Sequence, residues 1–437
     1  MIKKIVSAIL SAVLLMSLCG CDFFAAQTEE LLSPPSLSGE LKPINDAIEK
    51  STNGVYTFEY PTRGDYRTAV VQFDIDGDGI LEAFGFYSQV EGDITFMNLN
   101  ALTCKDGKWK SASHQKIVAG GVDKLEFCDL DGDGIKEILV GWEIYGTSEM
   151  QLGVYSLENG KLRQRLLQQY VHFVTCDLNE DGIDEIMIVK INSTEQINSV
   201  SLYNFNNEGF NELVCELDST AKTINEPIIA TLSTGKPAAY IDEIKGAGAV
   251  TEVIFLEEGV LKNPLFLSET KETLITLRSS TFLCKDIDGN DILEIPVQVN
   301  VPSVAKTQVG EKLYIIDWCS FNGEKLTKQV TTMINVDDGY YYTLSEKWAG
   351  KIAVLKDTEN HLREIYKYNP EDLTVGESLI YIKAVPKRDW DEGKYKAAGV
   401  YEIMNDGETA FICRISDTAV NEGITIDEVK KNFKLYE

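Results

Sequence analysis

Short apolar runs alternate with acidic or glycine-bearing turns along most of the chain, a pattern that predicts strands rather than helices. The runs KLEF at 124–127 and ILVG at 138–141 flank one acidic segment. Turn-bearing segments with apolar flanks recur at 102–109 (LTCKDGKW), 155–162 (YSLENGKL), 203–210 (YNFNNEGF), 255–261 (FLEEGVL) and 318–326 (WCSFNGEKL). Each reads as a β-hairpin whose glycine can take the positive φ of a tight turn. Further on, 340–344, 351–355, 379–383 and 409–413 also read as strands. The sequence TIDE at 425–428 is a capping box and predicts a helix running to about Phe433.

Four acidic segments align with one another: FDIDGDGILE at 73–82, CDLDGDGIKE at 128–137, CDLNEDGIDE at 176–185 and KDIDGNDILE at 285–294. Their first aspartates, Asp74, Asp129, Asp177 and Asp286, are 55, 48 and 109 residues apart. The last gap is two periods, and TLSTGKP at 231–237 stands where a missing copy belongs, without its acids. One loop and one hairpin per unit, each contributing two strands, give tandem four-stranded sheets. Such units bury both faces by stacking on their neighbours. The expected fold is therefore mainly β: a propeller of about six four-stranded blades with five clear repeats, then a small α+β C-terminal domain. Five or seven blades, or an open β-solenoid, are the alternatives. The stretches 54–59 and 328–336 are expected to combine as a closing blade. The domain reading is 1–20 signal peptide, 21–42 tether, 43–340 propeller and 341–437 C-terminal domain.

The acidic pattern places oxygens at positions 1, 3, 5 and 9, with a turn at position 6. Packed carboxylates repel unless a cation sits among them, and calcium takes six to eight oxygen ligands. An EF-hand needs glutamate at position 12, where this chain has Gly85, Val140, Ile188 and Val297. The nine-residue form within a β repeat resembles the FG-GAP (VCBS-type) repeats of integrin α-subunit propellers and bacterial surface proteins. DLDGDGIKEILVG at 129–141 carries the resemblance most fully. It implies Ca2+, up to four ions. Their ligands would be Asp74, Asp76, Asp78 and Glu82; Asp129, Asp131, Asp133 and Glu137; Asp177, Asn179, Asp181 and Glu185; and Asp286, Asp288, Asn290 and Glu294. The fourth loop departs from the pattern with Asp291 in place of the turn glycine.

Composition and the N-terminus add a location. Lys3 and Lys4 precede an apolar run, and LCGC at 18–21 ends it. The segment is too short for a spanning helix and reads as an export signal. Its ending resembles a bacterial lipobox, which implies lipidation of Cys21 and a lipid anchor on the outer face of a bacterial membrane. A flexible tether follows. With 69 acids against 41 bases, the formal charge of −28 excludes nucleic acid as a partner. Nine cysteines in 437 residues are too few for a disulfide scaffold. Cys128, Cys176 and Cys284 stand at matching repeat positions and read as small buried strand residues.

Catalytic motifs are absent from the sequence: there is no HExxH, GxSxG, phosphate loop or CxxC. His114, His172 and His361 read as ordinary strand or loop residues, and Arg63-Gly64-Asp65 as a chance match to a recognition tripeptide. The expectation is a membrane-anchored, extracytoplasmic calcium-binding scaffold that is not an enzyme and binds a surface protein, cell-wall polymer or glycan. The alternative is a glycan-active lyase or hydrolase with a carboxylate-based site in a central funnel. A third reading gives the function to the C-terminal domain.

Overall fold

The computed structural model describes residues 39–436, apart from 53, 147–148, 193–194, 196, 207–208, 303 and 305–312. The signal peptide, Cys21 and most of the tether lie outside the described residues. The chain divides into two compact units, one of residues up to 127 with 134–168, the other of 128–133 with 169 onward.

The described strands gather into six sheets of four or five strands and one two-stranded ribbon. A short helix, α1 (Lys42–Ser51), precedes them. The first sheet holds β1 (Thr57–Phe58), β2 (Val70–Phe73), β3 (Glu82–Glu91), β4 (Ile94–Lys105) and β5 (Lys108–Val118). The second holds β6 (Gly121–Cys128), β7 (Glu137–Glu143), β8 (Met150–Glu158) and β9 (Lys161–Tyr170). The third holds β10 (His172–Cys176), β11 (Glu185–Asn192), β12 (Ile197–Asn206) and β13 (Gly209–Leu217). The fourth holds β14 (Thr223–Ile224), β15 (Ile228–Thr231), β16 (Pro237–Lys245), β17 (Gly248–Glu257) and β18 (Val260–Lys262). The ribbon is β19 (Phe266–Leu267) and β20 (Glu272–Thr273).

The hairpins have a local cause. Asp106-Gly107, Asn159-Gly160 and Glu258-Gly259 all have positive φ at both residues, the two-residue turn whose twist matches that of paired strands. The strand that follows each of the first three acidic loops is buried on both faces: Glu82–Tyr87, Glu137–Trp142 and Glu185–Val189 are continuous buried runs. The outermost strand β5 alternates exposed and half-buried positions instead. Inner strands covered on both sides read as unbroken apolar runs for this reason. Within the second unit, Met187, Val189, Val200 and Leu202 of the third sheet pack against Ala239, Ile241 and Ile254 of the fourth. The other face of the fourth sheet, with Tyr240, Val253 and Phe255, packs against Ile295 and Phe321 of the fifth. In the first unit, Phe84, Phe86 and Leu99 pack against Ile138, Val140 and Trp142.

The fifth sheet runs β21 (Ile295–Val299), β22 (Tyr314–Phe321), β23 (Leu326–Asn335), β24 (Tyr340–Leu344) and ends on β30 (Phe433–Leu435). The sixth is β25 (Ile352–Asp357), β26 (Leu362–Asn369), β27 (Thr374–Pro386), β29 (Thr409–Ile415) and β28 (Val400–Asn405). Helices α2 (Lys387–Asp391), α3 (Asp417–Asn421) and α4 (Ile426–Asn432) accompany it. The Thr425 hydroxyl accepts the Glu428 amide at 3.2 Å, so the capping residue opens α4. The stretches expected to combine in a closing sheet do not pair with each other. Thr57–Phe58 pairs with β3, and Leu326–Asn335 with β22 and β24. Each has a sequence-near partner that satisfies its backbone first.

Candidate metal centre

Each acidic loop is the turn of an antiparallel pair. The residue before position 1 faces position 9 in the same register three times over: Phe73 opposite Glu82, Cys176 opposite Glu185, and Lys285 opposite Glu294. Inside the turn the backbone amides point inward to the carboxylates. Asp74 Oδ2 accepts the Gly79 amide at 2.9 Å, Asp177 Oδ2 the Gly182 amide at 3.0 Å, and Asp286 Oδ2 the Asp291 amide at 2.9 Å. The position-5 side chain accepts the amide two residues on: Asp78 from Ile80, Asp181 from Ile183 and Asn290 from Ile292. Position 6 is left-handed throughout, at φ of +83° for Gly79, +86° for Gly134 and +86° for Gly182. Asp291 takes the same conformation at +66° despite its side chain, so the departure from glycine leaves the turn intact.

The position-9 glutamates open the buried inner strands and are buried themselves. One carboxylate oxygen of three of them accepts the amide of position 2: Ile75 to Glu82 at 3.3 Å, Leu178 to Glu185 at 2.9 Å, and Ile287 to Glu294 at 3.0 Å. Glu185 spends its second oxygen on the Asn204 amide. Glu294 Oε1 and Asp74 Oδ1 are buried with no hydrogen-bond donor. A buried carboxylate oxygen left without a donor is costly unless a cation or proton meets it. Burial pushes Glu294 up to about 7 against the Ile287 amide, and Asp288 and Asp286 add to the rise. Glu82 and Glu185 are also raised, chiefly by burial. Burial works against Asp286, but the amides of Asp291, Gly289 and Asn290 hold it below the ordinary carboxylate range.

Single oxygens of Asp74, Asp76 and Asp78 lie within 4.8 Å of one another, as do those of Asp177, Asp181 and Glu185, and those of Asp286, Asp288 and Glu294. These clusters are able to hold a metal ion, and their all-oxygen donor set fits a hard divalent cation. Glu82 is not part of the first group, although Glu185 and Glu294, which accept the same position-2 amide, are part of theirs. In the third loop the Asn179 amide nitrogen donates to Asp181 Oδ2 at 2.9 Å, while Asn179 Oδ1 accepts the Asp181 amide at 2.7 Å. In the second loop Asp129 and Asp131 are half-buried, Asp133 is exposed and Glu137 is buried. There the Gly132 amide donates to Asp129 Oδ1 at 2.8 Å. The degenerate segment brings no acids together: Leu232 and Gly235 close it by backbone hydrogen bonds.

The remaining candidates lie elsewhere. His172 Nε2 meets the Ile224 carbonyl at 2.8 Å, and His361 Nδ1 meets Asp338 Oδ1 at 2.6 Å. His114 is exposed on β5. Cys128, Cys176 and Cys284 are buried free thiols. Arg63 makes a two-pronged ion pair with buried Asp123, at 2.6 and 2.8 Å. One group was missed in the sequence. Asp218, Asp242, Glu243, Glu252, Thr273 and Arg278 are buried together around the fourth sheet. Its one local signal was the acidic pair Asp242-Glu243 inside the otherwise apolar run of β16.

No protein-family profile matches the chain, and no curated protein matches it. Among solved structures it is similar to the rhamnogalacturonan lyase YesW, at 13% identity over 82% of this chain and 72% of that one, with a TM-score of 0.33. It is also similar to a Bacillus licheniformis rhamnogalacturonan lyase, at 11% identity over 74% and 77%, with a TM-score of 0.32. A third is a periplasmic gluconolactonase of Pseudomonas aeruginosa, at 10% identity over 70% and 83%, with a TM-score of 0.26. These neighbours are enzymes by name, and the expectation of a protein without catalytic activity is withdrawn on that finding. Its basis was the absence of contiguous motifs, and catalytic side chains that meet only in the folded chain leave none. The described chain is mainly β, built of repeated sheets, with acidic clusters able to hold metal ions.

Proposed function

We propose that this is a calcium-binding repeat protein of the β-propeller, FG-GAP-like kind that works outside the cell and engages a polysaccharide. Glu294 carries the reading. One of its oxygens is held by the Ile287 amide, and the other is buried without a donor in a group with Asp286 and Asp288. Calcium would relieve both the orphaned oxygen and the mutual repulsion of the carboxylates. It suits this loop better than magnesium, which keeps more of its water and demands a stricter octahedron. The repeated register of the loops and the face-to-face stacking of sheets within each unit support a propeller. The export-like segment at 1–21 supports an extracytoplasmic, lipid-anchored location.

The ions would act on the fold, drawing each turn together at the head of its inner strand. An ion present at ten times its Kd stabilises by about 1.4 kcal/mol. The test is a thermal melt of the chain in EDTA, in calcium and in magnesium. A rise in Tm with calcium that magnesium does not reproduce is expected, and equal melts in all three would refute the calcium reading. Polysaccharide engagement is tested on a panel of acidic and neutral glycans, read for retention and for new reducing or unsaturated ends. Unsaturated ends would make the protein a lyase and saturated reducing ends a hydrolase. Neither retention nor cleavage would remove the polysaccharide from the proposal.

A further inference from the structure

The chain between β18 and β21 forms a strap over the fourth sheet, and buried polar groups hold it there. At its start Asn263 Nδ2 donates to Glu252 Oε1 at 3.0 Å and to the Glu216 carbonyl at 3.1 Å. Further along, the Thr273 hydroxyl donates to Glu252 Oε1 at 2.6 Å and the Thr273 amide to Asp218 Oδ2 at 2.8 Å. Lys245 bridges Asp218 at 3.1 Å and Glu272 of the strap at 2.5 Å. Past these contacts, Ala249 and Arg278 exchange backbone hydrogen bonds, at 3.1 and 3.0 Å. The approach there is so close that a Cβ on Gly248 would lie 2.0 Å from the Arg278 carbonyl oxygen.

Glu243 sits in the middle of this arrangement without a donor of its own. Glu243 is opposite Val250 and Glu252 is opposite Ile241, so the two glutamates are diagonal neighbours on one face of the β16–β17 pair. Both side chains are 0% exposed. Glu252 accepts from Asn263, Thr273 and the Asp218 amide. Neither Glu243 oxygen is met by any donor among the described residues, and the group that faces it is the Glu252 carboxyl. Two carboxylates cannot both stay ionised in such a site, whereas a carboxyl and a carboxylate joined by one proton can.

We propose that Glu243 and Glu252 share one proton in the folded protein, and that this proton keeps the strap of residues 263–276 on the fourth sheet. Strap release is then a deprotonation event. Burial raises Glu243 well above its ordinary value, Glu252 and Asp218 raise it further, and Lys245 opposes them. Glu252 is raised by burial against its donors. Asp218 is held low by Thr220, Thr273 and Lys245 despite its burial. Glu216 faces Lys271, and Glu272 faces Lys245. A carboxyl whose folded value is raised contributes stability in full below its unfolded value, and loses it as pH climbs through the folded value. The low Asp218 works in the opposite sense, losing its contribution only as pH falls below the ordinary carboxylate range. The strap is therefore tightest in mildly acidic solution and loosens as pH rises.

The test is hydrogen exchange of the full chain read by mass spectrometry, with strap opening corrected for the intrinsic base catalysis of exchange. Opening is expected to increase by up to about tenfold per pH unit across the titration of the pair, the slope of a single proton. In Glu243→Gln, whose amide replaces the shared proton with a permanent donor, the slope should vanish while the rest of the chain stays protected. Glu252→Gln should flatten it as well and serves if the first variant does not fold. A strap whose corrected opening is independent of pH in the native protein, or as pH-dependent in the folded variant as in the native chain, overturns the proposal.

Discussion

The third and fourth sheets follow one strand plan and meet in one apolar core, yet they handle negative charge in opposite ways. The third sheet places Asp177 and Asp181 in a turn whose own amides gather around them, at the edge of solvent. The fourth has lost those acids at 231–237 and carries Asp242, Glu243 and Glu252 inside, each at most 3% exposed. Asp242 Oδ1 accepts from Arg278 at 3.0 Å and from the Thr251 hydroxyl at 2.6 Å, and its Oδ2 accepts the Cys284 amide at 2.8 Å. Arg278 is itself buried and drawn down by that burial, with Asp242 opposing. One sheet gathers its carboxylates in a cluster able to hold a diffusible cation. The other answers one carboxylate with a fixed guanidinium and, on the reading above, another with a proton.

That contrast can be broken most severely in the fourth sheet. Arg278→Met removes the cation and leaves Asp242 buried, which should cost about 3–5 kcal/mol. Urea denaturation in calcium-containing buffer measures it, and a loss under about 1 kcal/mol would mean water reaches Asp242. The third sheet should respond more weakly and conditionally. Asp177→Ala should lose the increment of about 1.4 kcal/mol expected at ten times Kd. Its melts in EDTA and calcium should lie closer together than those of the native chain. An unchanged calcium shift would remove the third loop from the metal sites. The smallest effect is expected at the fourth loop, where Asp291 sits at φ +66°. Asp291→Gly relieves a left-handed residue and should stabilise the chain by up to about 1 kcal/mol, seen as a slightly higher Tm in EDTA. A lower Tm would show that the Asp291 side chain contributes more than its backbone costs.

Much of the candidate metal centre was legible because it is local. Nine consecutive residues carry the acids, the turn and the closing glutamate, and the same turn folds wherever the pattern recurs. The ligand sets were less legible. Glu82 does not join the close group of Asp74, Asp76 and Asp78, whereas Glu185 and Glu294 join theirs, a difference the shared nine-residue pattern does not contain. The buried network was almost invisible, since Asp242 and Arg278 are 36 residues apart and Asp218 and Thr273 are 55 apart. A lone acidic pair in an apolar strand gives no sign of which groups will answer it. The pairing of 54–59 with 328–336 was misjudged for a related reason, as each stretch completes its backbone hydrogen bonds with sequence neighbours.

By itself the sequence determined the repeat, the strands and the turns. These depend on side-chain periodicity and on backbone preferences such as those of Asp106-Gly107 and Asn159-Gly160, which act over a few residues. Only the tertiary structure decided which acids are buried, which oxygens lack a donor, and that a strap covers the fourth sheet. Those outcomes depend on desolvation and on contacts between distant residues, and a carboxylate acquires its surroundings only when the chain around it has folded.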